Sequence, residues 1–344
     1  MKIDALAHAL PSEKLANDDV IQLFRTASNG KHTPSAWSAI ERNLAGYLKM
    51  SGSQGRYLAA PDESPIDLAV TASRKALERA GKSAADVDLL IYASVSRGWL
   101  EPSMAVGVQK KLQATNATSF DVVDACASWL RAMHVAYGLL ASGAYANALI
   151  VSVEAGMSDF IHFDIADAKI LERYGAASTL GNTATATLVS ATAEDDFYFV
   201  FRTFADDMDL CMMPLDNFAT FLPELESQDL IPNKFMARST VLLRKTLCYL
   251  VETFNNDSYL RRKEFDIMLS HAVSVGLARF FCRAANLPVK AYFGTYAEYG
   301  NTAAASIPLA MSLALESGRL KRGDSVGIGL GSAGITVGIA AFTF

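Results

Sequence analysis

Along this chain, short apolar runs give way to clusters of small residues and then to helical apolar spacing. Residues 119–123 read as a buried strand, and Leu130, Met133, Val135, Tyr137 and Leu140 continue as a largely apolar helix ending near Ser142-Gly143. Residues 265–271 read as a second such strand, followed by a helical pattern over 275–287. A glycine turn at Tyr299-Gly300 precedes a further helical stretch, in which residues 303–310 are mostly small. Residues 3–189 and 197–344 thus share one grammar of strands and small-residue helices, with negligible repetition of sequence and no Pro/Ser-rich linker between them.

Each junction in this pattern carries a residue with chemistry. Cys126 follows the first strand at or near a helix N-terminus, where unpaired backbone N–H groups and the dipole stabilise a thiolate. His271 closes the second strand, and Asn301 lies between the glycine turn and the small-residue helix. Taken singly, each has a plainer reading: a buried filler, a satisfied strand-end residue and an N-cap. Taken together they form a nucleophile with two hydrogen-bonding companions.

The trio and the segments around it resemble the thiolase-fold condensing enzymes, most closely β-ketoacyl-acyl-carrier-protein synthase III. The likeness covers nearly the whole chain. Residues 9–19 resemble the family's first strand and following loop, 51–59 its glycine-turn and arginine segment, and 86–94 the strand before the subunit contact. Pro102-Ser103 resembles the start of the next helix and residues 142–154 the segment after the nucleophile helix, while 180–186 stand in place of a phenylalanine-glycine-aspartate-glycine-alanine run. The carboxyl end matches best: residues 300–308, 318–324 and 331–338 follow the family's order, and thirty residues separate His271 from Asn301.

This resemblance implies an α/β fold of five layers, α/β/α/β/α, built from two pseudo-duplicated halves: residues 1–190 with the cysteine and 191–344 with the histidine and asparagine. The alanine-rich segments 125–132 and 303–310 suit its two buried helices, since small side chains admit sheets on both faces. It implies that Cys126 takes an acyl group from a thioester and that His271 and Asn301 stabilise the enolate of a malonyl- or β-ketoacyl-type thioester. The backbone N–H groups of Cys126 and Ala333 would hold the oxyanion. The residue types suit these roles, because a thiolate both attacks and leaves readily and neutral donors stabilise developing negative charge. A β-ketoacyl synthase III-like acyltransferase of specialised fatty-acid or polyketide biosynthesis is therefore expected. Acyl-carrier protein or coenzyme A thioesters are its implied partners, a homodimer its implied assembly, and no cofactor or metal is implied.

Departures from the family pattern make the chain particular. Ala272-Val273-Ser274 follow His271 where the synthases carry glutamine-alanine-asparagine, and Gly276 stands where a basic carrier-docking residue is expected. Arg279 and Arg283 on one helix, with Arg238, Arg244 and Lys245 on another, are either a replacement patch for an acidic carrier or a solvated face. The family's adenine-clasping tryptophan and arginine would fall near Gly46 and Met50, so that clamp is missing, and residues 30–48 carry an insertion. Those losses favour loading from a carrier protein. Glu101 stands where an apolar residue commonly walls the acyl pocket across the dimer. Residues 157–174 are longer than usual and are expected to reshape the entrance, with His162 a loop residue rather than a catalytic one.

Composition adds exclusions. Hydrophobic residues make up 51% of the 344 and the net charge is −5, which allows large buried sheets and argues against nucleic acid as the main partner. No apolar run reaches the roughly 18 to 20 residues that span a bilayer, and the amino terminus lacks a long apolar signal region. A cytoplasmic enzyme without a membrane partner is expected. Cys126, Cys211, Cys248 and Cys282 are scattered without metal or disulfide spacing. Two other functions stay open: acyl transfer from Cys126 to an alcohol or amine with His271 as base, and a non-catalytic partner subunit of a synthase.

Overall fold

The apolar run at residues 147–154 is buried at every position, as a strand must be when helices cover both faces of its sheet. The computed structural model describes residues 1–165, 167–193, 196–271 and 273–344, without the side chains of Met157 and Ala168; Ala272, one of the departures after His271, lies outside the described residues. The first half supplies β1 (Lys2–Ala9), β2 (Glu13–Ala16), α1 (Asn17–Ala27), α2 (Pro34–Ser51), β3 (Gly55–Leu58), α3 (Pro65–Arg79) and β4 (Leu89–Ala93). It continues through α4 (Met104–Leu112), β5 (Thr118–Val122), α5 (Ser128–Ala141), β6 (Asn147–Glu154), α6 (Ala168–Tyr174) and β7 (Thr183–Ser190). The second half begins with β8 (Tyr198–Thr203), β9 (Cys211–Met212), α7 (Phe218–Phe221), β10 (Met236–Ala237), α8 (Ser239–Asn256) and β11 (Ile267–Ser270). It ends with α9 (Val275–Ala284), α10 (Tyr296–Tyr299), α11 (Ser306–Glu316), β12 (Ser325–Ser332) and β13 (Thr336–Thr343).

The first sheet has the order β1-β7-β6-β4-β5, with β4 parallel to β5 and β6, and β7 antiparallel to β6 and β1. In the second, β11-β12-β13-β8, only β11 and β12 are parallel. With β8 set against β1, β13 against β7, β12 against β6 and β11 against β4, both sheets run in the same order. The second sheet has no counterpart of β5 among the described residues; a single parallel bridge from Met268 to Tyr292 stands at that position.

The halves also agree at the entry to their central helices. Ala125 and Ala303 both adopt left-handed φ, 45° and 39°. Three residues on, the hydroxyls of Ser128 and Ser306 donate to the carbonyls of Ala125 (2.7 Å) and Ala303 (2.8 Å). The left-handed turn costs a non-glycine residue of the order of 1–2 kcal/mol, and repeating it in both halves keeps the two helix starts in equivalent geometry.

Helices α5 and α11 lie between the sheets. Leu130 and Met133 of the one and Ile307 and Met311 of the other share a buried cluster with Ile91 of the first sheet and Ile328 of the second. Helices α3 and α4 cover the outer face of the first sheet, and α8 and α9 that of the second. The result is five layers, α/β/α/β/α. Outside them, α1 and α2 share a separate cluster with Ile161, Ile165, Leu171 and Tyr174 and with Leu225, Leu230 and Met236, and here Phe24 meets Phe163 at 5.0 Å and Lys31 pairs with Asp164 at 2.6 Å. The segments 30–48 and 157–174, expected from the sequence to depart from the family pattern, thus both contribute residues to one cap.

Two boundaries differ from the sequence reading. Helix α9 stops at Ala284 rather than reaching Leu287, because Asn286 takes φ 56° and turns the chain. Arg238 lies at the N-cap of α8, not within the helix.

The central layer sets a stability test. Ala132 is fully buried between the sheets, so Ala132→Leu is expected to cost about 1–3 kcal/mol in urea unfolding through overpacking. Ala284→Leu, on the exposed end of α9, is expected to stay within about 0.5 kcal/mol of the parent. Equal midpoints for the two variants would contradict a tightly packed central layer.

Candidate active site

The segment around Cys126 is held from two sides. The Ser128 hydroxyl accepts from the amide of Asp124 at 2.8 Å, and the Asp124 carboxylate accepts from Arg131 Nε at 2.9 Å. From the end of β12, the Ser332 hydroxyl donates to the carbonyl of Asp124 (3.1 Å) and accepts from the amide of Ala127 (3.3 Å). The last residue of β12 is thus fixed to the Cys126 segment across more than 200 residues of sequence.

Cys126 precedes the first residue of α5 by two positions. It keeps some exposure to a cavity, but protein surrounds it, and burial pushes its thiol well above the usual range, with Cys211 and Glu154 adding to the effect. This corrects the expectation of a standing thiolate: desolvation of the charge outweighs the helix terminus. Burial therefore favours the protonated sulfur.

His271 is the residue after β11 and is 8% exposed. Its Nδ1 lies 2.9 Å from the Ser306 hydroxyl. That hydroxyl has one proton, and the Ala303 carbonyl, which can only accept, takes it at 2.8 Å. The arrangement assigns the ring proton to Nδ1 and leaves Nε2 with a free lone pair. Burial pushes His271 down to about 4, so the ring is neutral at pH 7.

Asn301 is placed by an interlock between the halves. Its amide donates to the carbonyl of Thr179 at 2.7 Å, and its carbonyl accepts from the amide of Gly181 at 2.9 Å. Gly300 has φ 69°, and a Cβ there would lie 2.4 Å from the Thr179 oxygen, so the turn requires glycine. The Asn301 Oδ1 accepts from the amide of Ala303 at 3.0 Å, which leaves the Nδ2 hydrogens as donors.

Cys126, His271, Asn301 and Ala333 all line one cavity of about 80 Å³. A second, smaller cavity shares Asn301, Leu242, Leu243 and Val273 with it and leads toward Tyr47, Ala176 and Ser239. Two arms therefore meet at Asn301, and Tyr47 of the cap forms a wall of the second. His162 lies away from them, edge-on to Tyr174 at 5.4 Å, in the cap.

The five basic residues considered for docking divide. Arg238 is engaged by Asp209 at 3.4 Å and by Gln228 at 2.9 Å, and Lys245 is held by Asp207 at 2.5 Å. Arg244, Arg279 and Arg283 are exposed. Near the position of the adenine clamp, Met50 is 81% exposed and nothing lies within 4 Å of a Cβ built on Gly46.

Four residues shape the site without a sequence signal that singled them out. Ser306 and Ser332 hold the catalytic segments as described. Cys211 lines the cavity beside Cys126. Glu154 is fully buried and accepts from the amides of Val95 (3.0 Å) and Ser96 (3.2 Å) and from the Ser96 hydroxyl (2.9 Å); burial pushes its carboxyl up to about 7. Among the described residues there is no cluster of metal-ligating side chains and no helix long and apolar enough to cross a membrane.

Comparison with known proteins places this geometry. Residues 120–206 match the family model of 3-oxoacyl-[acyl-carrier-protein] synthase III and residues 256–344 that of its C-terminal region. Beta-ketoacyl-[acyl-carrier-protein] synthase III of Clostridium perfringens is 29% identical over 298 residues, covering 84% of this chain and 87% of that one. The synthase III of Helicobacter pylori is 29% identical over 357 aligned positions, covering 99% and 97%. Among solved structures, the Aquifex aeolicus 3-oxoacyl-[acyl-carrier-protein] synthase III superposes with a TM-score of 0.81 at 21% identity, covering 100% of this chain and 99% of that one. A variant of Xanthomonas campestris OleA with bound lauric acid and lauroyl-CoA gives 0.81 at 23% identity, covering 99% and 98%. With two family models matched in order and relatives aligned along nearly its whole length, the chain belongs to the 3-oxoacyl-[acyl-carrier-protein] synthase III family of thiolase-fold condensing enzymes.

Proposed function

We propose that the protein loads an acyl group from a thioester onto Cys126 and condenses it with a malonyl- or β-ketoacyl-type thioester, in specialised fatty-acid or polyketide biosynthesis. The observation that carries this reading is the convergence of Cys126, His271 and Asn301 on one cavity, with His271 Nε2 and Asn301 Nδ2 not engaged, among the described residues, by the bonds that hold their other atoms.

In the loading step, His271 Nε2 takes the Cys126 proton as sulfur attacks the thioester carbonyl, and returns it to the departing thiolate. Backbone N–H groups of Cys126 and Ala333 receive the oxyanion. In the second step the malonyl-type carboxylate leaves as carbon dioxide, and the enolate oxygen accepts from Asn301 Nδ2 and from His271. For the ring to donate through Nε2, the proton must move from Nδ1, and the Ser306 hydroxyl must turn from Ala303 to Nδ1. The enolate carbon then attacks the acyl carbonyl and Cys126 leaves as thiolate, to be reprotonated.

A second reading has one observation in its favour. The Nδ1–H ring presents His271 as a base rather than a donor, which suits acyl transfer to an alcohol or amine. Supporting a carrier-protein donor over free coenzyme A are the open surface at Gly46 and Met50 and the exposed Arg244, Arg279 and Arg283 on the helices flanking the cavity. A homodimer is supported by the outer edge of β5, unpaired among the described residues, and by Leu100 and Val123, 68% and 58% exposed, beside Glu101 and the start of α4.

Three measurements test the reading. Asn301→Ala is expected to leave Cys126 loading nearly normal while slowing decay of acyl-Cys126 with malonyl-type thioesters by about 10²-fold or more. Decay driven by alcohols or amines alone, and indifferent to Asn301, would transfer the assignment to simple acyl transfer. Iodoacetamide alkylation of Cys126 is expected to keep rising beyond pH 9, the ordinary thiol value, and loading to retain its base well below pH 6.5, the ordinary imidazole value. An alkylation plateau near pH 6 would instead show a standing thiolate. Sedimentation at micromolar concentration is expected to give one dimeric species with an interface above roughly 2,000 Å²; an active monomer would contradict it.

A further inference from the structure

The turn that delivers Asn301 to α11 is gripped by both halves of the chain. Ala303 enters it with left-handed φ, 39°, and its N–H donates to Asn301 Oδ1 at 3.0 Å, so the set of this turn decides where the Asn301 side chain points. The peptide between Ala303 and Ala304 is held at both ends. Its carbonyl accepts from the Ser306 hydroxyl at 2.8 Å, and its N–H donates to the carboxyl of Glu154. Glu154 closes β6 in the other half and is fully buried. Donors rather than a cation offset that burial: besides Ala304, the Val95 amide meets Oε1 at 3.0 Å, and the amide and hydroxyl of Ser96 meet Oε2 at 3.2 and 2.9 Å. The loop that supplies them is itself fixed, with the Tyr92 hydroxyl donating to the Ser96 carbonyl at 2.5 Å and the Ser152 hydroxyl to that of Ala93 at 2.7 Å. The carboxyl therefore stands on the first sheet and reaches one peptide of the Asn301 turn. An anion there opposes a thiolate at Cys126, so activation of the nucleophile is not its task.

We infer that Glu154 is a positioning residue for the condensation step: through the amide of Ala304 it holds the peptide that keeps Asn301 Nδ2 aimed at the enolate oxygen while the Ser306 hydroxyl turns to His271. The inference rests on the condensation proposed above and adds a residue to it. During loading the Ser306 hydroxyl stays on the Ala303 carbonyl, and the peptide is gripped twice. In the second step that hydroxyl leaves for His271 Nδ1, and the bond from Ala304 to Glu154 remains. Ala303 is then held by it in a left-handed conformation that a non-glycine residue does not keep unaided. Relaxation of Ala303 would carry its N–H off Asn301 Oδ1 and swing Nδ2 away from the oxygen it serves. An apolar side chain at 154 would fill the space but leave the amides of Val95, Ser96 and Ala304 buried without a partner.

The test loads Cys126 from acetyl- or octanoyl-coenzyme A, chases the acyl enzyme with malonyl-coenzyme A and follows the mass of the intact protein. Glu154→Gln can accept at only one of the two oxygen positions. It is expected to load at the wild-type rate or faster and to condense about ten-fold more slowly, with the loss in the saturating rate rather than in the malonyl-coenzyme A concentration that gives half of it. In an Asn301→Ala background the same change is expected to cost no more than about two-fold further, since a side chain that is gone cannot be misaimed. Glu154→Asp keeps the charge but falls one methylene short of the segments that Glu154 joins. It is expected to show the same selective loss, and it keeps the inference testable should the glutamine variant fail to fold. Equal losses in loading and condensation, or a loss that multiplies with that of Asn301→Ala, would leave Glu154 a structural residue and overturn the inference. So would an unchanged condensation rate in either folded variant. A wild-type acyl enzyme that ignores malonyl-coenzyme A would instead overturn the condensation reading, and the role of Glu154 with it.

Discussion

Helices α5 and α11 are enclosed by sheets on both sides, so the backbone carbonyls of the turns that enter them have little water to satisfy them. That constraint selects serine at the same place in each. Ser128 and Ser306 return a hydroxyl proton to the carbonyl of a left-handed alanine three residues back, and each has lone pairs left over. In the first half the lone pair receives the Asp124 amide and steadies the chain before the nucleophile. In the second it receives His271 Nδ1 and fixes which ring nitrogen faces substrate. One hydroxyl at the start of each central helix thus orients both halves of the site.

The same enclosure determines the charges at rest. Burial raises the thiol of Cys126 and lowers the imidazole of His271, so the neutral pair is favoured over the ion pair. On the proposed mechanism the proton moves when a thioester carbonyl is present to accept the sulfur's electrons. A site of this kind is quiet toward oxidants and alkylating agents until it is occupied.

Much of this was legible in the chain, for local reasons. Cys126, His271 and Asn301 stand at junctions between elements, where a strand ending or a glycine turn fixes a residue's place whatever surrounds it. The alanine-rich stretches announce helices with sheets on two faces. What stayed hidden depends on distant partners: Ser332 acts on Asp124 and Ala127 from more than 200 residues away, and Glu154 meets Val95 and Ser96 across nearly 60. Cys211, scattered by spacing, reaches the cavity on a two-residue strand too short to carry an apolar period. The expectation of a thiolate failed because a helix end is visible in sequence, whereas the desolvation that outweighs it is a property of the packed interior. The end of α9 was misplaced by Asn286, whose left-handed turn interrupts an otherwise continuous apolar pattern.

The cap is a second, smaller core with its own logic. Trp37, Leu44 and Leu48 of α2 are buried against Ile161, Leu171 and Tyr174 from a stretch more than 100 residues later, and Phe24 of α1 lies between them. Both stretches also pack on Leu225, Leu230 and Met236 of the second half, and the later one is tied there by the Phe235 amide on the Phe160 carbonyl and by Lys234 on the carbonyls of Asp159 and Ile161. The cap is therefore a joint product of three distant stretches, and only an exchange of all three would deliver a different roof over the Tyr47 arm onto an unchanged five-layer body.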